Sequence, residues 1–157
     1  SSIKQKDRCG TSERTESKME EKKREVLDMR GDNISKLNVK RGEDLVELYV
    51  QDNMPTELDI TENKRLEIVD CTGNPLKYIN ANAPGCEGRF PLQVAAGKGG
   101  SVGMKIEPGL QQYHAVADEG YIFDGWYDEL GDRLSKEPVW SDQYGASRSI
   151  VAWFVAK

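Results

Sequence analysis

Apolar residues in the first half of the chain recur at a spacing of 21 residues. Leu48 moves forward onto Val69 and back onto Leu27, Val50 onto Cys71 and Met29, and Asn53 onto Asn74 and Asp32. Leu58 maps onto Ile79 and Leu37, and Ile60 onto Ala81 and Val39. Leu45 maps onto Leu66, but its earlier counterpart, Arg24, breaks that column. Within a unit, the alternation Leu48-x-Val50 or Val69-x-Cys71 predicts a short strand with one face buried. The asparagine that follows turns the chain inward, where its amide can satisfy backbone groups left unpaired by the turn. One such unit cannot bury its own apolar face, and about three stacked units are the usual minimum. Three are predicted here, over residues 24–82. The first is the least regular, with Asp32 and Asn33 in place of the single asparagine and Gly31 loosening the turn.

Upstream, residues 11–25 (TSERTESKMEEKKRE) are rich in helix formers and hold no glycine or proline. Thr11 or Ser12 can serve as an N-cap, and Glu20–Arg24 is a favourable i,i+4 pair. The expectation over 1–23 is a charged tail, unstructured over Ser1–Gly10, followed by a helix capping the open end of the stack. Downstream, ANAPGCEG carries turn formers without periodicity, so 83–90 is expected to be a linker. Beyond it, apolar runs at Phe90–Ala95, Val102–Ile106, Tyr113–Ala117, Tyr121–Tyr127 and Ser149–Val155 alternate with glycine-bearing turns, the pattern of a small β-rich unit, β-grasp-like or β-sandwich-like. Strand alternation separates Tyr121, Phe123 and Gly125 from Ile122, Asp124 and Trp126. A bulge at Gly125 would bring Phe123 and Trp126 to one side, with Trp126 in the core.

The residues LYVQDNMPTELDI (48–60) and VDCTGNPL (69–76) resemble the 21-residue leucine-rich repeats of bacterial cell-surface proteins. Similarly, PLQVAAGKGGSVG, AVADEGYIFDGWYDELGDRLS and SIVAWFVA resemble the divergent internalin B-repeat of extracellular bacterial proteins, over 91–157. Gly120, Tyr121, Phe123, Gly125, Trp126 and Tyr127 carry that second likeness, while the stretch from Leu134 to Gly145 departs from it. Together these imply a mainly β fold with an N-terminal helix: a short leucine-rich-repeat solenoid followed by a separate β module. They also imply a bacterial protein of the cell surface or extracellular space, with any export signal already removed.

Charge and composition narrow the chemistry. A net charge of −5 argues against general nucleic-acid binding, which needs a basic face to neutralise phosphates. The basic run Lys22-Lys23-Arg24 is flanked by Glu20, Glu21 and Glu25, the make-up of a solvated mixed-charge face. No apolar run approaches the roughly 20 residues of a membrane span. Cys9, Cys71 and Cys86 form no CxxC pair and His114 is the single histidine, so neither a zinc site nor a Cys–His catalytic pair is expected. Cys9 and Cys86 can bridge in an oxidising compartment or stay free; Cys71 falls in a buried column. Gly97-Lys98-Gly99-Gly100 lacks phosphate-loop spacing, and the carboxylates show neither a glycosidase pair nor an EF-hand pattern. No cofactor, metal or catalytic site is expected.

Residues alternating with the buried columns line the exposed face of the stacked strands: Val26, Asp28 and Arg30, then Glu47, Tyr49 and Gln51, then Ile68, Asp70 and Thr72. Tyr49, between two aspartates, is the expected anchor for an extracellular or host protein, since aromatics bury much area at low entropic cost. An alternative partner is a polysaccharide, stacked on exposed aromatics of the C-terminal unit; Tyr113, Trp140 and Tyr144, near polar loops, are the candidates.

Overall fold

The computed structural model describes residues 25–37, 39, 44–85, 88–142 and 149–157. Alternation does set the strands. In chain order they are β1 (Glu25–Asp28), β2 (Leu45–Tyr49), β3 (Glu57–Ile60), β4 (Ile68–Asp70), β5 (Tyr78–Gly85) and β6 (Gly88–Ala96). Then follow β7 (Gly100–Glu107), β8 (Leu110–Ala117), β9 (Tyr121–Asp128), β10 (Arg133–Ser135), β11 (Val139–Ser141) and β12 (Ser149–Ala156). They form two six-stranded mixed sheets. The front sheet has the order β1-β2-β4-β7-β8-β11, and the back sheet β10-β9-β12-β6-β5-β3.

The 21-residue spacing appears directly as strand register. In the front sheet β1, β2 and β4 are parallel, with Leu27 beside Leu48 and Leu48 beside Val69. In the back sheet β3 and β5 are parallel, with Leu58 beside Ile79 and Ile60 beside Ala81. Two asparagines tie successive coils together. Asn74 accepts the Asn53 N–H at 2.7 Å and donates through Nδ2 to Cys71 O at 2.9 Å and Val50 O at 3.0 Å. Asn53 repeats the arrangement one coil earlier, donating to Met29 O at 2.7 Å and accepting the Ile34 N–H at 2.9 Å. Both are buried, so these bonds replace water that the backbone groups cannot reach. A further asparagine, Asn63, unmarked in the sequence reading, donates to Val39 O at 2.7 Å.

The expected fold class is corrected. The chain is all-β, with no helix among the described residues, and its two mixed sheets form neither a leucine-rich-repeat solenoid nor a separate C-terminal module. The strands of the third coil are continued by later ones: β4 pairs antiparallel with β7, and β5 with β6. The physical reason is the open edge. A last coil ending in unpaired N–H and C=O groups needs a partner, and the C-terminal half supplies one for each sheet. Of the stretch 83–90, expected to be a linker, residues 83–85 end β5 and 88–90 begin β6, and Ala83 pairs with Phe90. The expected tail and capping helix, residues 1–23, lie outside the described set; the first described residue, Glu25, begins β1.

One apolar layer lies between the sheets, running from Val39, Leu48 and Leu58 through Cys71, Ile79 and Val94 to Trp126 and Phe154. Its C-terminal end is aromatic. Tyr113 stands 5.9 Å from Trp126 and 5.7 Å from Trp140, and Phe123 lies 5.9 Å from Trp126, centroid to centroid. The register shift that brings Phe123 inward is the bulge expected near Gly125: Trp153 faces Gly125, but the next residue, Phe154, faces Phe123. Asp124 is the extra residue, and Trp126 is fully buried with its Nε1–H donating to Pro138 O at 3.3 Å.

Candidate functional site

Because the inward columns are fixed, the residues between them face outward on the front sheet, and register brings them into line. Asp28 lies beside Tyr49, Tyr49 beside Asp70, Asp70 beside Lys105, Lys105 beside Gln112, and Gln112 beside Ser141. One row therefore crosses all six strands. The first three members come from the coils and were expected; Lys105, Gln112 and Ser141 come from the C-terminal half and were not. The alternation of Val102, Met104 and Ile106 marks Lys105 as outward, but nothing local says that β7 lies against β4.

The side chains of this row and its neighbours hold one another in place. The Arg30 guanidinium bonds both carboxylate oxygens of Asp28, Nε at 2.8 Å and the terminal nitrogen at 2.6 Å. That fork holds the Asp28 carboxyl below its usual range and raises Arg30. The same guanidinium carbon sits 5.8 Å from the centre of the Tyr49 ring, within cation–π range. The Tyr49 hydroxyl donates to Glu47 Oε1 at 2.7 Å. Asp70 accepts from Thr72 Oγ1 at 2.7 Å on one oxygen and from Gln51 Nε2 at 3.1 Å on the other. Ile68 is half-buried beside Glu47, and Val26 is exposed at the sheet edge.

The adjacent row runs from Arg30, Gln51 and Thr72 to Gly103, His114 and Val139. Gly103 is packed so tightly that a Cβ there would lie 2.9 Å from the Thr72 Cα. The missing side chain lets Thr72 approach the β7 backbone closely, beside His114, the residue paired with Gly103 on β8. The His114 Nε2–H donates to Gln112 Oε1 at 2.8 Å. Partial burial lowers its pKa from the ordinary value, and Lys105 adds to that, while Asp70 pulls the other way. The arrangement offers fixed donors, acceptors, a cation and an aromatic ring over an extended surface. The carboxylates of Asp28, Glu47 and Asp70 are each hydrogen-bonded by a neighbouring side chain.

The aromatics expected to be exposed are corrected. Tyr113 is fully buried, with Gln111 Nε2 donating to its hydroxyl at 2.6 Å, and burial pushes that hydroxyl's pKa up. Trp140 is half-buried and packs inward on Tyr113. Both face the core because β11 pairs with β8 and sets Trp140 beside Tyr113. Tyr144 lies outside the described residues. Among the described residues the exposed aromatics are instead Trp153 and Tyr78, on the outer face of the back sheet. Cys71 is buried as expected, and desolvation pushes its thiol pKa up to about 12. Among the described residues no group of three or more His, Cys, Asp or Glu side chains could hold a metal ion, and no helix is long and apolar enough to cross a membrane. No protein-family model matches the chain, nor does any of the curated proteins or solved structures compared with it.

Proposed function

We propose that this protein is a non-catalytic binding module, extracellular or held at the cell envelope, that takes a protein partner on the outer face of its front sheet. The observation carrying this reading is the registered row from Asp28 through Tyr49, Asp70 and Lys105 to Gln112. It joins both halves of the chain into one surface of mixed charge. The bonds among Arg30, Asp28, Gln51, Asp70 and Thr72 support it further, since side chains already held in place lose little freedom on binding. Arginine and tyrosine are the residue types that most often dominate such interfaces. The Tyr113 and Trp140 route to a polysaccharide has no comparable support, because both rings face the core.

The test places a photo-crosslinking amino acid at Gln112 and exposes the protein to cell-surface and secreted proteins. Tyr49→Ala and Arg30→Ala are then made in that background. A hot spot worth about 2 kcal/mol corresponds to roughly thirtyfold in affinity, so each variant should remove the specific adduct while keeping the wild-type circular dichroism. Leu130→Ala, in the β9–β10 turn, should leave it. An adduct equally strong in Tyr49→Ala and Arg30→Ala would end this reading.

A further inference from the structure

The outer face of the back sheet carries the most exposed apolar surface among the described residues. Trp153 is 48% exposed, Val155 48%, Ile122 50% and Tyr78 37%. Single apolar side chains on a surface are ordinary; a contiguous group on one sheet face marks an interaction site. Trp153 and Val155 alternate along β12, and Val155 pairs with Ile122 of β9. A Cβ at Gly97 would meet the Trp153 ring at 2.9 Å, so the indole lies flat over that glycine.

Register identifies what fits there. A single row crosses the face: Glu57 beside Tyr78, then Ala95, Val151, Tyr127 and finally Arg133. The row reads acid, tyrosine, small apolar, small apolar, tyrosine, base. It is antisymmetric in charge and symmetric in everything else, and its midpoint falls between β6 and β12, the two central strands of the sheet. A two-fold axis along the strands at that midpoint lays Glu57 over Arg133 of a second copy and Tyr78 over its Tyr127. It also carries each Trp153 to the Gly97 position of the other copy. In the row through Asp59, Asn80, Gln93 and Ser149 the same axis lays the neutral Ser149 over Gln93, and Asp59 falls at the β10 end. The Asp124 carboxylate accepts the Tyr127 hydroxyl at 2.6 Å and so travels with that tyrosine.

We propose that this face is a self-association surface, and that two copies of the chain pair through their back sheets with Glu57 of each opposite Arg133 of the other. Six strands at about 4.8 Å by eight residues at about 3.3 Å cover at most about 760 Å² on each side, and the edge strands β3 and β10 are shorter than that. The area is below the roughly 800 Å² per partner of a standard interface, so the dimer depends on concentration. It leaves both front faces open, and it stands or falls independently of what binds there.

Sedimentation velocity on the full chain over a concentration series is the test, with circular dichroism as the check on folding. The wild type should shift from monomer to dimer as concentration rises. Glu57→Arg sets arginine against arginine, and Arg133→Glu sets glutamate against glutamate, so each alone should weaken the dimer at least tenfold. An equimolar mixture of the two single variants should dimerise again, as should the double swap, because each restores opposite charges at both ends. Trp153→Ala should also be monomeric. A wild type that stays monomeric throughout overturns the proposal. So does a dimer indifferent to the single swaps, or a mixture that stays monomeric. A monomer whose tryptophan emission shifts with soluble polysaccharide would reassign the face to sugar stacking.

Discussion

Replacing Asn74 by alanine removes a small side chain with large consequences for the backbone around it. Asn53 N–H loses its acceptor at 2.7 Å and Cys71 O loses a donor at 2.9 Å. Val50 O keeps a second donor, Asn53 Nδ2 at 3.2 Å. Two buried backbone groups are therefore left unmet, each worth about 1–3 kcal/mol, and the expected loss is roughly 2–6 kcal/mol. A domain of this size has about 5–15 kcal/mol in total, so the variant should sit near the edge of folding. Urea unfolding followed by tryptophan fluorescence measures this, since Trp126 lies in the core. Asn74→Asp keeps the Oδ1 acceptor but turns the donor towards Cys71 and Val50 into a second acceptor, and should be worse than alanine at neutral pH. As a surface control, Thr61→Ala loses only an exposed bond to Asp59 at 2.6 Å and should cost under about 0.5 kcal/mol. A loss for Asn74→Ala below about 1 kcal/mol, with unchanged m, would mean that the side chain does not hold two coils together.

Other outcomes follow from the same contacts. Leu48→Ala empties a fully buried column between Leu27 and Val69 and should cost about 2–5 kcal/mol in the same urea assay. His114 should titrate below 6.5 in proton NMR, because burial disfavours its charged form. The unfolded state then binds more protons between the folded pKa and 6.5, so stability is full above 6.5 and falls as pH drops through that window; a midpoint above 6.5 contradicts this. In a Cys9→Ser, Cys86→Ser background, Cys71 should react with a thiol reagent only as fast as the protein unfolds, since its sulfur is fully buried and desolvation also raises its pKa.

Particular residues show why some of this was legible in the sequence and some was not. Leu27, Leu48 and Val69 could be aligned because each coil repeats the same demand, and Asn53 and Asn74 marked the same turn twice. Local repetition fixed the register of β1, β2 and β4. Nothing repeated across the joins to β7 and β6, which depend on two strands meeting far apart in the chain, so the separate solenoid and module were an error of non-local pairing. Pro84 and Gly85 suggested a linker, yet they lie where β5 ends its hairpin with β6. Tyr113 was misplaced for a different reason. Its inward neighbour is Gln111, buried to form a bond with the tyrosine hydroxyl, and a polar residue facing the core erases the alternation that would have revealed the face. On the candidate surface the coil residues were found and Lys105, Gln112 and His114 were missed, the same join again. Trp126 was placed correctly because the bulge at Gly125 can be argued from one strand alone.

The stacked coils and the C-terminal strands share one sheet, so that a single outer face runs across both. Two backbone bonds carry it: Val50 N–H to Asp70 O at 3.0 Å between coils, and Cys71 N–H to Met104 O at 3.0 Å across the join. Scalar couplings through hydrogen bonds, read from a long-range HNCO spectrum, report both pairs directly. Cross-peaks from the Val50 amide to the Asp70 carbonyl and from Cys71 to Met104 are predicted. If Val50 shows its coupling while the Cys71 amide shows none and exchanges like a solvent-exposed group, the coils end in a free edge and the shared face does not exist.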